Sequence, residues 1–319
     1  MRAAQVSEIG APPGVVDLPQ PSPADGQTLI AVSYAALNPV ELRVARGRMP
    51  GAMIPYVPGL EGVGTVVGPS TLPEGTRVRF ENDLPGFGKD GAIREFAIAD
   101  DMALVELPGS VDDDTAAAVG VVGVTAELAF RLAGMLGGER VAVLGATGGV
   151  GQMAVQLAAV HGATSVVAVG RDRPTLDWLE SNGATATVEL SDSSSLPDAL
   201  IEAAGGPIDI VVDPLWGDPA MAAIAALADE GKLVTVGNTA GTDVQLPLQA
   251  MRKSRTSVIG LSSGWTPLSD KLDAFRFVVD QLAGNTVKVN LDVEPLESIA
   301  PAWVRQEQFP HNKIVVSLT

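Results

Sequence analysis

The chain has 319 residues, of which 46% are apolar and 18% are charged, so its composition predicts a folded globular protein with a sizeable core. Its formal net charge of −17 argues against a nucleic-acid partner and against anionic membrane surfaces, because both would repel it. The absence of cysteine excludes disulfides and thiolate nucleophiles, and two histidines far apart in sequence disfavour a metal site. No signal peptide or uninterrupted apolar run of membrane-spanning length stands out, so a cytoplasmic protein is expected.

The first 110 or so residues are rich in glycine and proline. Short β-prone pieces alternate there with turn signals, a pattern that predicts a small barrel-like β domain. The pieces are TLIAVSYAAL, VGTVVG, TRVRF, AIREFAIA and MALVEL.

The periodicity changes at Asp112, where acidic residues favour the start of a helix. Residues 141–261 then alternate near-continuous apolar strands with helical segments, which predicts a parallel sheet covered by helices on both faces. Six predicted strands fit a doubly wound, dinucleotide-binding fold of the α/β class. The strands are VAVLG, SVVAVG, ATVEL, IDIVVD, KLVTVG and SVIGL.

The tail begins with one amphipathic helix, LSDKLDAFRFVVDQLAG, and ends in a strand, NKIVVSLT. It is too small to fold alone, so we expect it to pack on the β-rich N-terminal region. The predicted domains are therefore residues 1–115 with 266–319, and residues 116–265.

A glycine-rich stretch, VLGATGGVGQ, joins the first of the six strands to a helix. Against the pattern G-x-G-x-x-G, Ala146 takes the first glycine position, and Gly148 and Gly151 take the second and third. Glycine lets the backbone approach a pyrophosphate at the positive end of the helix, so we predict dinucleotide binding. A turn kept for packing alone is the alternative. The predicted contacts are Thr147, Gly148, Gly149 and Val150.

The second strand ends at Gly170, followed by Arg171, Asp172 and Arg173. An acid directly at this strand end would suit the ribose 2′-hydroxyl of NADH, whereas glycine followed by two guanidinium groups suits the 2′-phosphate of NADPH. We therefore predict NADPH, held by Gly170, Arg171 and Arg173, with Asp172 facing solvent. An ordinary solvated turn is the alternative for the arginines.

Seven segments, in this order along nearly the whole chain, carry a family resemblance: NPVELRVARG, VPGLEGVGTVVG, GVTAELAF, VLGATGGVGQMAVQLA, VVDPLWGD, LVTVGN and HNKIVVSL. Together they resemble the medium-chain dehydrogenase/reductase superfamily, and most closely its zinc-independent quinone oxidoreductase branch, which includes zeta-crystallin-like proteins. The resemblance implies a GroES-like β-barrel catalytic domain and a Rossmann domain, with the nicotinamide in the cleft between them.

The zinc alcohol dehydrogenases of that superfamily carry a glycine–histidine–glutamate motif whose histidine binds the metal. The matching residues here are Gly59, Leu60 and Glu61. Leucine cannot bind a metal, and the lack of cysteine removes the remaining ligands and the structural zinc lobe. We therefore expect no zinc, and a structural role for Glu61 such as bonding a buried donor.

The resemblance also implies cofactor contacts that the residues alone do not. Without it, Asn38-Pro39 could be a turn dipeptide and Thr125 a helix residue bonding its own backbone. The implied contacts are Asn38 beside the nicotinamide ribose, Thr125 at the start of the linking helix, Gly237 and Asn238 after the fifth strand, and Leu261, Ser262 and Ser263 near the carboxamide.

Tyrosine proton donors of related reductases have no counterpart here, because Arg43 and Met49 occupy the matching positions. Of the two tyrosines in the chain, Tyr34 is expected in the core, and Tyr56, in the MIPYVPG loop, is the candidate donor. Arg43 or Arg46 could stabilise developing enolate charge if either points inward. Solvated surface positions are the alternative for both.

Without a metal, a thiol or a matched tyrosine, an unactivated carbonyl is hard to polarise, whereas a quinone or an α,β-unsaturated carbonyl accepts hydride readily. We therefore predict NADPH-dependent reduction of such a substrate, bound by an apolar pocket and the Asn38 amide. Two alternatives stay open: an enoyl-thioester reductase, and a non-catalytic NADPH-binding or sensing protein. We also expect a homodimer across the edge strand in TSVIGLSSGW.

Overall fold

The computed structural model describes all 319 residues, which form two compact units. Unit 1 comprises Met1–Val121, Phe275–Ala283 and Val289–Thr319, and unit 2 comprises Val122–Ala274 and Gly284–Lys288. The boundaries expected from the sequence, after residue 115 and before residue 266, differ from these. Two continuous helices each contain residues of both units, so the division falls inside a helix rather than at a loop.

The secondary structure consists of short strands in unit 1 and alternating strands and helices in unit 2. The strands are β1 (Arg2–Gln5), β2 (Gly14–Asp17), β3 (Gln27–Ala36), β4 (Glu61–Val66), β5 (Arg77–Glu81), β6 (Phe96–Asp100), β7 (Val105–Glu106), β8 (Arg140–Val143), β9 (Ser165–Gly170), β10 (Ala186–Glu189), β11 (Ile208–Asp213), β12 (Leu227–Thr235), β13 (Ser257–Gly260), β14 (Leu291–Pro295) and β15 (Lys313–Ser317). The helices are α1 (Pro39–Ala45), α2 (Asp113–Ala133), α3 (Gly149–Val160), α4 (Arg173–Glu180), α5 (Leu196–Ala204), α6 (Gly217–Ala225), α7 (Leu248–Ser254), α8 (Leu268–Ala283) and α9 (Ile299–Glu307).

The main sheet of unit 1 has the strand order β14-β15-β3-β4-β5-β7, with β6 also paired to β3. Only β14 and β15 run parallel; the other neighbours are antiparallel. Ile30, Phe80 and Trp303 are fully buried in the core of this unit. Burying aromatic side chains of this size contributes roughly 2–3 kcal/mol each, which anchors the tail on the N-terminal strands.

One helix of the tail, α9, was not predicted from the sequence. It has nine residues and carries Pro301, so its pattern is short and interrupted. Proline is tolerated in the first turn of a helix, where the missing N–H would have no intrahelical acceptor. Burial of Trp303 in the unit 1 core stabilises a helix that local propensity alone would not.

Unit 2 contains the six predicted strands in one parallel sheet of order β10-β9-β8-β11-β12-β13. The first strand of this unit, β8, therefore lies between the second and the fourth, and the strand order reverses there. In sheets of this kind the crevice beyond the carboxyl ends of the strands at the reversal is where ligands bind. The turn after β8 and the loop after β11 flank that position.

Helix α2 is the one helix long and apolar enough to cross a membrane. Its most apolar stretch is 83% buried within the protein, as is usual for a core helix. The helix includes Glu127, so it is not an uninterrupted apolar run, and it was predicted from the sequence as a helix only.

Candidate functional site

The glycine turn after β8 is built so that a strand and a helix lie almost in contact. Gly145 has a left-handed φ of 55°, and Gly148 occupies the N-cap of α3. A Cβ on Gly151 would lie 2.4 Å from the carbonyl oxygen of Gly145 and 2.6 Å from the Cα of Ala146, so no side chain fits at that position. The backbone of the glycine turn is therefore in direct contact with the backbone at the start of α3.

The outer side of the same turn is open. The nearest atom to a Cβ built on Gly148 is 3.5 Å away, which leaves ordinary space. Gly148, Gly149 and Val150 are partly exposed, and the first N–H groups of a helix have no intrahelical acceptor. This cradle, with the positive end of α3 behind it, fits a pyrophosphate.

Gly170, at the carboxyl end of β9, lies against Thr147. A Cβ on Gly170 would come within 2.5 Å of the Thr147 Cγ2, so the neighbouring turn requires glycine here. Thr147 was predicted as a cofactor contact, but its side chain is 7% exposed and its methyl group packs on Gly170. Its methyl group therefore packs between β9 and the glycine turn, and a cofactor contact by Thr147 stays a prediction.

The three residues after β9 are Arg171, Asp172 and Arg173. Their side chains have different roles, which the sequence predicted only in part. Asp172 does not simply face solvent: its carboxylate accepts hydrogen bonds from the Thr175 N–H at 2.9 Å and hydroxyl at 2.6 Å, and so caps α4. Arg173 is exposed and forms ion pairs with Asp177 at 2.5 Å and Glu180 at 3.3 Å. Arg171 is exposed, and no hydrogen bond or ion pair holds its guanidinium.

The loops after β12 and β13 emerge at the same edge of the sheet. A Cβ on Gly237 would lie 2.6 Å from the carbonyl oxygen of Pro214, which makes that glycine necessary for the approach of the β11 loop. Asn238 and Ser262 are exposed. Leu261 and Ser263 are half-buried, and these loop positions are compatible with cofactor contacts. Thr125 does not start a helix: it lies well inside α2 and is 7% exposed.

Asp213, the last residue of β11, is fully buried at this edge. Burial raises its pKa to about 6, although the backbone N–H groups of Trp216 and Leu215 oppose the shift by donating to the carboxylate. The hydrogen bonds measure 2.8 Å from Leu215 and 3.0 Å from Trp216. The carboxylate thereby holds the loop that begins directly after β11.

Asn38, in unit 1, is buried in a polar network rather than available to a ligand. Its side-chain oxygen accepts a hydrogen bond from the Lys313 Nζ at 2.6 Å, and its side-chain nitrogen donates to Glu61 at 3.2 Å. Its backbone N–H donates to Glu41 at 2.9 Å. The Asn38 amide is thus engaged within unit 1, and its contact with substrate or nicotinamide stays a prediction. The sequence does not reveal that Lys313, near the other end of the chain, donates to its oxygen.

Glu61 has the structural role predicted for it. Its carboxylate accepts hydrogen bonds from Asn38, from Arg79 at 2.9 Å and from the backbone N–H of Val121 at 2.7 Å. A Cβ on Gly120 would lie 1.7 Å from the Glu61 Oε2, so α2 needs glycine where this carboxylate meets it. The adjacent Leu60 offers no ligand atom at the position of the zinc-binding histidine.

Glu41 is the most strongly perturbed acid of this network. Burial raises its pKa to about 7, while hydrogen bonds from the backbone of Asn38 and Leu60 and the charge of Lys313 act in the opposite direction. Lys313 is itself buried, and its Nζ also donates to the Leu37 carbonyl at 2.7 Å. Burial lowers the pKa of Lys313, and Glu61 and Glu41 counteract that shift.

The remaining catalytic candidates of unit 1 differ in burial and in partners, and their catalytic roles stay predictions. The hydroxyl of Tyr56 is buried without a hydrogen-bond partner, and burial raises its pKa above the ordinary range. Arg43 is exposed on α1, and Arg46, directly after that helix, is exposed and forms an ion pair with Glu307 at 2.7 Å. Stabilising enolate charge was predicted only for an arginine that points inward, and both of these side chains are exposed. Tyr34, expected in the core, is half-buried in β3.

Sequence reasoning missed Lys313, Arg79 and Gly120. Each carried a weak signal: Lys313 begins a buried strand, Arg79 alternates with apolar residues in β5, and Gly120 interrupts an apolar helix. None of these patterns identifies a partner, because the partners lie far away in sequence.

Two family profiles match the chain: "Alcohol dehydrogenase GroES-like domain" over residues 24–109 and "Zinc-binding dehydrogenase" over residues 149–276. Quinone oxidoreductase-like protein 2 of Bos taurus is 30% identical over 272 residues, covering 82% of this chain and 75% of that protein. Quinone oxidoreductase of Rattus norvegicus is 30% identical over the same length, covering 82% and 80%. The chain belongs to the medium-chain dehydrogenase/reductase superfamily, in its quinone oxidoreductase-like branch.

Other relatives and solved structures agree with this placement. A zinc-type alcohol dehydrogenase-like protein of Schizosaccharomyces pombe is 34% identical, but the match covers only 36% of each chain. The quinone oxidoreductase from Thermus thermophilus, solved also as its complex with NADPH, superposes with a TM-score of 0.84 at 26% identity over the full length of both chains. The predicted fold, a GroES-like domain with a doubly wound parallel-sheet domain, is thereby confirmed.

Proposed function

We propose that this medium-chain reductase uses NADPH to reduce a quinone or another activated α,β-unsaturated carbonyl by hydride transfer, without a metal. The observation that carries the proposal is the open glycine cradle at the strand-order reversal, with the unpaired Arg171 at the end of the adjacent strand. The backbone of Gly148, Gly149 and Val150 would hold the pyrophosphate. When bound, NADPH supplies the hydride, and the protein orients the cofactor toward the substrate.

The donor set supports a reaction without zinc. Cysteine is absent, Leu60 stands at the ligand position, and no group of three or more His, Asp or Glu side chains in the chain is placed to hold a metal ion. Asn38 and Tyr56 are engaged or buried, so in this proposal water delivers the proton after hydride transfer. Quinones and enones suit such a site because they accept hydride without strong polarisation of the carbonyl.

The decisive experiment is NADPH consumption by the purified full chain with a panel of small quinones, an enone, and crotonyl and longer enoyl thioesters. We expect turnover with quinones or the enone that a metal chelator does not reduce. Preference for the thioesters would instead identify an enoyl-thioester reductase. NADPH binding without turnover on any substrate would identify a sensing protein, and loss of activity with the chelator would overturn the metal-free mechanism.

Arg171 is expected to select NADPH over NADH. Because a charge-assisted bond to phosphate contributes about 1.5–3 kcal/mol, Arg171→Ala should weaken NADPH binding roughly 10- to 100-fold and leave NADH binding nearly unchanged. Arg173→Ala is the matched control, since its guanidinium is already paired with Asp177 and Glu180, and it should change either affinity by less than about twofold. Calorimetric titration measures both; equal losses for the two cofactors would contradict the assignment.

We propose in addition a homodimer across the β13 edge. β13 pairs only with β12, α7 has no buried residue, and Leu248 and Trp265 are 65% and 92% exposed nearby in sequence. An apolar edge of this kind is usually covered by another strand. Light scattering should give twice the chain mass, and Ile259→Arg should reduce it to one chain. Leu136→Arg, at a 93% exposed position in another loop, should leave the dimer intact.

A cytoplasmic location stays a prediction that cell fractionation tests.

A further inference from the structure

The carboxylate of Glu61 meets the backbone of α2 in the interior of that helix. Its Oε2 accepts the N–H of Val121 at 2.7 Å, and a Cβ on Gly120 would lie 1.7 Å from the same oxygen. A backbone N–H inside a helix ordinarily donates to the carbonyl four residues earlier. A buried side-chain acceptor at this point is therefore an external anchor on the helix.

This part of α2 has little helical stability of its own. Residues 119–125 read VGVVGVT, so the stretch consists entirely of glycine and β-branched residues. Both kinds of residue have lower helix propensity than alanine or leucine. The path of the helix here therefore depends on tertiary contacts, and the hydrogen bond from Val121 to Glu61 is one of them.

The anchoring carboxylate is itself held in one place. The Glu61 side chain is 1% exposed, and the Arg79 Nη2 donates to it at 2.9 Å. Arg79 is equally buried, and its guanidinium lies over the ring of Phe275, 4.8 Å from the ring centre. Charge-assisted hydrogen bonds of this kind are short and directional, so Glu61 can fix the position of the helix that it contacts.

The next residue of α2 reaches the glycine turn. Val122 is buried, and a Cβ on Gly149 would come within 3.1 Å of its Cγ1, so the two residues lie against each other. Gly149 is the first residue of α3 and belongs to the proposed pyrophosphate cradle. Val121 ends unit 1 along α2 and Val122 begins unit 2, so one peptide bond connects the anchored residue to the residue that supports the cradle.

From this arrangement we propose that Glu61 is a positioning residue for the cofactor, which fixes the start of α3 beneath the NADPH pyrophosphate through Val121 and Val122. The inference rests on the proposed cofactor. Hydrogen bonds from backbone N–H groups to a pyrophosphate depend on where the donors lie, and donors already in place need no ordering on binding. The carboxylate acts through α2 rather than by contact with cofactor or substrate.

Two ligands separate the pyrophosphate from the 2′-phosphate: NADPH, and adenosine 2′-monophosphate, which has no pyrophosphate. Glu61→Met removes the acceptor for Val121, so it should raise the Kd for NADPH about tenfold and that for the monophosphate by less than about twofold. Glu61→Gln retains an acceptor oxygen and should keep NADPH affinity within about threefold. Glu81→Met is the matched control, because it makes the same change at the other carboxylate that pairs with Arg79, and it should change neither affinity.

Val122→Ala tests the second half of the path. Removing two methyl groups at the contact with Gly149 should raise the Kd for NADPH about threefold. Combined with Glu61→Met it should add no further loss, because both substitutions release the same segment of α2. Thermal melting checks that each variant is folded during titration. If Glu61→Met does not fold, the Val122→Ala titration with the two ligands decides alone.

Unchanged NADPH affinity in Glu61→Met or Val122→Ala would overturn the proposal and leave the proposed function standing. The same holds for an equal loss of both ligands, for a similar loss in Glu81→Met, and for losses that add in the double variant. If the unmodified protein bound neither ligand, the proposed cofactor itself would be wrong, and this inference would fall with it.

Discussion

Replacing Lys313 with methionine is expected to lower the free energy of unfolding of unit 1 by about 3–5 kcal/mol. The Nζ of Lys313 donates hydrogen bonds to the Leu37 carbonyl and the Asn38 side chain. Its positive charge also interacts favourably with the carboxylates of Glu41 and Glu61. Methionine fills similar volume but leaves two buried oxygens without a donor. It also leaves the buried carboxylates with less positive charge nearby. Chemical denaturation followed by fluorescence measures the change.

The pH dependence distinguishes this electrostatic role from packing alone. Glu41 has a pKa raised by burial to about 7, so the folded state binds its proton more tightly than the unfolded state, and stability falls as pH rises toward and through that value. The positive charge of Lys313 offsets part of this decrease in stability. The free energy of unfolding that Lys313→Met removes should therefore be larger at about pH 8 than at about pH 5. Adding Glu41→Gln should remove the difference between the two pH values.

A matched control is Lys288→Met, at an exposed position after α8, which should change stability by less than about 0.5 kcal/mol. If Lys313→Met cost less than about 1 kcal/mol at both pH values, the network around Asn38 would not be the stabilising element that its geometry indicates.

Two alanine substitutions in the glycine turn should separate folding from cofactor binding. Gly151→Ala places a Cβ within 2.4 Å of a backbone oxygen, so strand and helix must move apart, at a cost of about 3 kcal/mol, and NADPH binding should be lost with the turn geometry. Gly148→Ala meets nothing closer than 3.5 Å, so the protein should melt within a few degrees of the original. If the pyrophosphate lies over this turn as proposed, the methyl group added at Gly148 takes space beside it, and NADPH affinity should fall at least roughly tenfold.

Thermal melting and NADPH titration of both variants give the result. A Gly151→Ala protein as stable as the original would show that the close approach is not required. A Gly148→Ala protein with full NADPH affinity would show that the pyrophosphate does not lie over this turn.

The parallel sheet was the most predictable part of the protein. Most of its strands are nearly continuous apolar runs, and buried parallel strands need little else to be recognised; β12 is the exception, because its first half, LADEG, is polar and only its second half was predicted as strand. The glycine turn was predictable for a related reason. Backbone contacts exclude a side chain at Gly151, so the residue there must be glycine, and a glycine at this spacing can be recognised in the sequence. Helix α9 was missed because its stability comes from the burial of Trp303, which is a tertiary property.

The catalytic candidates of unit 1 were the least predictable. Asn38 carries an amide that could bind a ligand, and only the position of Lys313, at the other end of the sequence, shows that the amide oxygen is already used. Tyr56 and Arg43 likewise carry suitable functional groups. The Tyr56 hydroxyl, however, is buried away from solvent, and the Arg43 guanidinium lies on the protein surface. Sequence supplies the functional group, whereas its availability depends on distant neighbours.

The sequence by itself determined the alternation of strands and helices in the parallel sheet, the glycine turn and the chemical absences, above all the lack of thiols and of a histidine at position 60, because these are properties of residue type and local spacing. The tertiary structure alone decided which of two neighbouring arginines is unpaired, that Asp172 caps a helix, and that Asn38, Glu41, Glu61 and Lys313 share one buried network. Long-range pairing of charges and hydrogen bonds depends on which segments meet in space, and no periodicity along the chain encodes it.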